Sequence, residues 1–167
     1  MEHTAILLIL ASLAAAADDD LIARARRLCE REGVRLVVTE DMPAEQTARF
    51  VINHDRIDLN PANLYWHSRA AREQMRRTGQ VSTRHPDHII MHELAHAKLC
   101  RHLGADRYFR LCQVPLGIDP TRAASAVSGH AAGDPLEFAA EVYAGVWCGV
   151  RYPPDVMAYY ESLWRRE

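Results

Sequence analysis

The four cysteines of this 167-residue chain, Cys29, Cys100, Cys112 and Cys148, form no Cys-x-x-Cys pair. That spacing excludes a sulfur-ligated zinc ribbon and a dithiol redox motif. Four buried thiols are the simplest expectation; two disulfides are the alternative for an exported chain. No apolar run reaches the roughly 18–20 residues that a membrane-spanning helix needs. The longest, "AILLILASLAAAA" at 5–17, has 13 residues. That length suits a signal-peptide core, yet Glu2 and His3 precede it without a Lys or Arg. Residues 1–17 are therefore either a signal peptide, making the protein exported, or an N-terminal helix of a cytoplasmic one. Excess positive charge is lacking too. Twenty Lys and Arg against 22 Asp and Glu leave a net charge of −2, which offers nucleic acid no electrostatic grip. Arg24, Arg26, Arg27, Arg31 and Arg35 cluster, but Glu30, Glu32, Glu40 and Asp41 lie among them, as on a solvated helix face. There is no internal repeat and no low-complexity linker, so one domain is expected.

What is present is ordinary globular material, 49% hydrophobic and 25% charged. A first helix is expected from Asp18–Asp20 to Gly33, followed by a strand at "VRLVVT". "RFVINHDRIDLN" reads as two short alternating strands about a His54-Asp55 turn, and "SRAAREQMRR" as a short helix. A longer helix opens at Pro86 with Asp87 beside its positive end, and closes near Gly104. Another opens at "GDPLEFAAEVYAGVW" with Asp134 as cap and Pro135 at the first position. Between them, residues 113–134 are rich in Pro, Gly, Ser and Ala, with one helical turn around Arg122 to Val127. "PPDVMAYYESLWRR" closes the chain as an amphipathic helix.

On the first long helix stands His92-Glu93-Leu94-Ala95-His96. Residues four apart share a helix face, with Cβ atoms about 5–6 Å apart, so both imidazoles can bind one zinc. Glu93 lies one step round, where its carboxylate reaches a water activated by the metal. A catalytic zinc needs a third protein ligand, and three residues are candidates. His102 is six residues beyond His96, about 240° round a continuing helix, and points away. His88, one turn before His92, lies too far along the face to share the ion and reads as a rim or solvated residue. Glu137 is favoured. Asp134, Glu137 and Glu141 fall at i, i+3 and i+7 as one acidic stripe on an otherwise apolar helix. Unpaired carboxylates there are costly, so something positive should face them. A capping box closed by Glu137 is the alternative, but it leaves Glu141 unexplained.

The motif, followed some forty residues later by "EFAAEVYAG", resembles the gluzincin arrangement of zinc metallopeptidases. Within it, the likeness is to the family of the anthrax lethal factor catalytic domain and related toxin-like and phage-encoded bacterial domains. It spans about residues 50–160 and is specific at the two helices. The resemblance implies a small zincin-like α+β single domain over 18–167. That domain would be mainly helical, with a short N-terminal β-sheet and an active-site helix packed on a second glutamate-bearing helix. It also implies Glu137 as third ligand and Glu141 as the residue that orients a ligand histidine. Where the family carries a tyrosine aimed at the oxyanion, this chain has His130. An imidazole N–H can donate the same hydrogen bond; an ordinary loop histidine is the alternative.

The expectation is a zinc-dependent metallopeptidase whose partner is a peptide or protein substrate. His92, His96 and Glu137 bind Zn2+, Glu93 serves as general base and His130 assists. The edge of the hairpin around Val51 to Leu59 would take an extended peptide, with Arg49 and Arg56 as candidate selectors of acidic side chains. The alternative is a non-catalytic, zinc-stabilised structural or assembly module of phage-like or toxin-related origin.

Overall fold

A computed structural model describes residues 21–165. The segment 1–17, read above as a signal peptide or N-terminal helix, lies outside the described residues.

The first helix, α1, covers residues 21–31 of the described chain, and Gly33 at φ 65° turns the backbone out of it. Ala25, Leu28 and Cys29 are buried at i, i+3 and i+4, while Arg26 and Arg27 are exposed. Three strands follow: β1 (Arg35–Val38), β2 (Ala48–Val51) and β3 (Arg56–Leu59). They form one sheet in the order β1-β3-β2. β1 runs parallel to β3, with Leu36 opposite Ile57, and β2 runs antiparallel, with Phe50 opposite Ile57. The turn between β2 and β3 is a 3-10 turn, Ile52–His54, closed by Asp55 in the left-handed region at φ 43°. An Asp tolerates that region better than most side chains. β3 is central and its Ile57 and Leu59 are fully buried, whereas β2 is an edge strand.

The rest is helical. Asn63 and Ser68 cap α2 (Leu64–His67) and α3 (Arg69–Arg77) by accepting from the backbone of Tyr65 and Ala71. Then come α4 (His88–Leu103), α5 (Ala105–Leu111) and α6 (Pro120–Ala126). A 3-10 turn at His130–Ala132 precedes α7 (Pro135–Trp147), and α8 (Pro154–Leu163) ends the described chain. α2 and α5 have no counterpart in the sequence reading. Both are under eight residues, too short for a periodic signal. The chain is thus a mixed α+β protein, mostly helical, with one small sheet.

α4 is the pivot. Its Ile90, Met91, Leu94 and Ala97 enter the core shared with α1 and the sheet, with Tyr65 and Trp66 alongside. Its Leu99 and Cys100 enter the core shared with α7 and α8, among Phe138, Val142 and Val156. A helix clasped on both sides exposes little, which is why His88, His92, His96 and Glu93 are buried.

The expectation of four buried thiols is corrected. All four cysteines are free, Cys29 and Cys100 buried but Cys112 exposed and Cys148 half-buried. α5 ends beside Cys112 and leaves it at the surface. Among the described residues no helix is long and apolar enough to cross a membrane.

Candidate metal centre

α7 starts as its sequence dictates. The Asp134 carboxylate accepts from the N–H groups of Leu136 and Glu137, and Pro135 occupies the first turn. That cap uses Asp134 and leaves the Glu137 side chain to face α4. There the Nε2 atoms of His92 and His96 lie 3.1 Å apart. Glu137 Oε2 is 3.1 Å from His92 Nε2, and Oε1 is 3.6 Å from His96 Nε2. Ligands at about 2.0–2.2 Å from one tetrahedral zinc stand about 3.3 Å from one another, so this donor set has the spacing of a zinc site. Glu137 Oε2 is moreover buried, with the imidazole nitrogens of His130 and His92 facing it at 2.8 and 3.1 Å, a position in which a cation would be well placed. His92, His96 and Glu137 form a group that could hold a metal ion.

The outer nitrogen of each histidine is fixed. His92 Nδ1 lies 3.0 Å from Glu141 Oε1, and His96 Nδ1 lies 2.8 Å from the Tyr108 hydroxyl. Bonds on both Nδ1 atoms aim both Nε2 atoms at the same point, with the tautomer a metal needs. Glu141 is itself held. Its Oε1 also meets His88 Nε2 at 2.9 Å, and its Oε2 accepts the Ser82 N–H at 2.9 Å. His88, His92 and Glu141 are close enough to form a second possible ligand group. Their 2.9–3.0 Å separations are hydrogen-bond lengths with Glu141 as common acceptor, and we read them as such.

Charge follows from this packing. Burial works to raise Glu137, but hydrogen bonds from His130, His92 and His96 outweigh it and hold the carboxyl far below its usual range. Glu141 is likewise raised by burial and drawn lower by His88 and His92. Burial lowers His92, yet its bonds to Glu137 and Glu141 prevail and lift it well above 6.5. Tyr108 is pushed up, by burial first and then by Glu137 and Glu93, so it stays a neutral phenol.

His130 Nε2 lies 2.8 Å from Glu137 Oε2, on a side chain 55% exposed. That bond lifts His130 above its ordinary value against an opposing burial. It is not among the residues whose ligand atoms all come within 4.8 Å of one another. His130 thus flanks the donor set without joining it.

Glu93 is 8% exposed and lines the same cavity of about 460 Å³ as His92, His96, His130 and Glu137. Its Oε2 accepts the backbone N–H of Phe50 at 2.7 Å. The outer edge of β2 therefore forms one wall of the cavity, with Ala48 and Phe50 in its lining. Met75, Val81 and Ile89 add apolar surface to the lining.

Other sequence candidates fall away from the centre. His102 Nε2 meets the Trp164 carbonyl at 2.7 Å, away from His92 and His96. His88, expected at a rim or in solvent, is instead 0% exposed, because α7 covers that face of α4. Arg49 and Arg56 both engage the buried carboxylate of Asp58, at 3.3 and 2.7 Å. Tyr108, Ser82 and Phe50 were not foreseen. The latter two act through backbone N–H groups, which carry no residue-type signal, and Tyr108 sits on a short helix whose direction the sequence does not fix.

No family model, no characterised protein and no solved structure matches this chain.

Proposed function

We propose that the chain is a zinc-dependent metallopeptidase of gluzincin type, with a zincin-like fold. One observation carries the reading: two imidazoles and a carboxylate from separate helices converge at zinc-ligand spacing, with Glu93 in the same cavity. His92, His96 and Glu137 would hold the ion. When bound, zinc supplies Lewis acidity toward a carbonyl oxygen and makes water a ready proton donor.

The chain's own residues supply the rest. Glu93, fixed by the Phe50 N–H on one oxygen, takes a proton from water and passes it to the departing amine nitrogen. His130, whose Nε2 rests on Glu137 Oε2, would donate from that nitrogen toward the oxygen that gains charge once it leaves the carboxylate. Glu141 and Tyr108 keep both ligand rings from turning. The outer edge of β2 pairs with an extended peptide through backbone groups, which holds substrate without reading its side chains.

A non-catalytic, zinc-stabilised module is the second reading, favoured by the Phe50–Glu93 bond, since a purely structural domain could keep Glu93 for that anchor alone. Metal analysis of wild type and Glu137→Ala, side by side, tests the site. Zinc near one per chain in wild type and little in the variant is expected; equal metal in both would remove Glu137 from the ligand set. Cleavage of a mixed peptide library by zinc-loaded wild type separates the peptidase from the module.

A further inference from the structure

The α3 helix carries Arg69, Arg72, Arg76 and Arg77 against a single acid, Glu73. Arg84, from the loop before α4, stands 3.6 Å from Glu73, with both side chains more than half exposed. Such an exposed pair contributes little and neutralises little. Elsewhere arginines such as Arg24, Arg101 and Arg122 sit on carboxylates at 2.6–2.9 Å. Among the described residues, no carboxylate pairs with Arg69 or Arg76. Arg69, Arg72 and Arg84, with His85 and the single carboxylate of Glu73, line a second concavity of about 440 Å³, three guanidinium groups against one acid. Arg72 is fixed there by its bond from Nη1 to the Tyr65 carbonyl at 2.6 Å and by stacking over the Tyr65 ring. A local excess of positive charge thus persists on a chain whose net charge is −2.

Neighbouring stretches of the chain line the two concavities, which have no lining residue in common. Met75 of α3, Gln80 and Val81 of the following segment and Ile89 of α4 line the catalytic cavity. Arg69 and Arg72 of the same helix and Arg84 and His85 of the same segment line the basic one. A helix with its side chains is about 10–12 Å across. An extended peptide advances about 3.3 Å per residue, so a chain crossing the width of α3 from the cleft would need about three to four residues.

We propose that this face is an exosite for acidic protein substrates. It binds Asp or Glu side chains a few residues from the bond to be cut; this rests on the peptidase reading. Guanidinium forks match carboxylates in pairs, and a charged rim raises encounter rate and selects partners more than it adds affinity. A nucleic acid is the lesser fit, because no Phe, Tyr or Trp lines this concavity to stack a base. Arg49 and Arg56 do not serve this role, being held by Asp58.

The test uses a fluorescein-labelled oligo-glutamate peptide and the full chain carrying Glu93→Gln, so that nothing is cleaved. Fluorescence anisotropy should show binding that weakens about tenfold with Arg69→Glu plus Arg84→Glu, and further with added salt. Arg72 is left in place because it also holds the Tyr65 carbonyl. No binding, or equal binding by the charge-reversed protein, overturns the exosite. So does tighter binding of a labelled oligo-dT, which would make the face a nucleic-acid surface. In the active protein, the double reversal should leave cleavage of a neutral peptide unchanged and slow only substrates with flanking acids. Binding with no peptide ever cut would defeat the peptidase reading alone; cleavage without binding would defeat the exosite alone.

Discussion

Phe50 donates its backbone N–H to the Glu93 carboxylate at 2.7 Å, tying the edge strand to the motif helix. Two substitutions at Glu93 should therefore part. Glu93→Gln keeps a carbonyl that accepts from Phe50 and loses only the base. Peptide cleavage should fall by about 10²–10⁴ while zinc content and the denaturation midpoint hold. Glu93→Ala also strands the Phe50 N–H and should cost about 1–3 kcal/mol of stability. Denaturant titration of both proteins, alongside a cleavage assay, measures the pair. If the Gln protein cleaves normally, Glu93 is an anchor and nothing more.

His88 never reaches the proposed ion, yet it shares Glu141 Oε1 with His92 at 2.9 Å. Removing it leaves that buried oxygen with one fewer donor and His92 less firmly aimed. His88→Leu should weaken zinc binding about 10–100-fold, the usual effect of losing a partner that orients a ligand. His88→Gln presents an N–H near the position of Nε2 and should restore most of the affinity. Competition against a chelator gives both values. Equal affinities in the Leu and Gln proteins would reduce His88 to a space-filling role.

Much of this was legible in the sequence, and the residues show why. His92 and His96 announce themselves because helix geometry alone fixes their relation. Glu137 and Glu141 were visible as charges with no reason to be on an apolar helix, a mismatch that burial makes costly. β1, β2 and β3 followed from β-branched alternation, although the 3-10 turn at Ile52–His54 did not. What stayed hidden depends on where one element meets another. Tyr108 touches His96 only because α5 folds back on α4, and His88 is buried only because α7 covers it. Whether Arg49 faces a substrate or the buried Asp58 is likewise decided by strand register, Arg49 lying opposite Asp58.

Gly145 lets the chain beyond α7 return against it. A methyl group there would overlap the Tyr152 hydroxyl, which lies 3.5 Å from the Glu141 carbonyl. Gly145→Ala should destabilise the fold by about 1–3 kcal/mol through overpacking, despite the better helix propensity of alanine. Tyr152→Leu alone should also be destabilising, but the double variant should lose less than the sum of the two. Thermal or denaturant unfolding of the four proteins closes the cycle. Strict additivity would mean that the ring swings aside freely and that this close approach carries no constraint.

Proton release should accompany metal uptake. Burial opposes the charge on His92, but its bonds to Glu137 and Glu141 win and keep its proton bound well above the ordinary 6.5. A folded value raised above the unfolded one makes the protonated cluster stabilising below about pH 6.5. That contribution is lost as pH climbs through the folded value. Zinc needs the Nε2 lone pair and so competes with the same proton. Apparent zinc affinity should therefore rise with pH, and stability of the metal-free protein should fall over the same window. Titration calorimetry in buffers of different ionisation heat should report release of about one proton per ion at neutral pH. Affinity that is flat from about pH 6 to 8, with no proton released, would mean that His92 is already neutral when zinc arrives. In that case the carboxylates of Glu137 and Glu141 would not be holding a proton on His92.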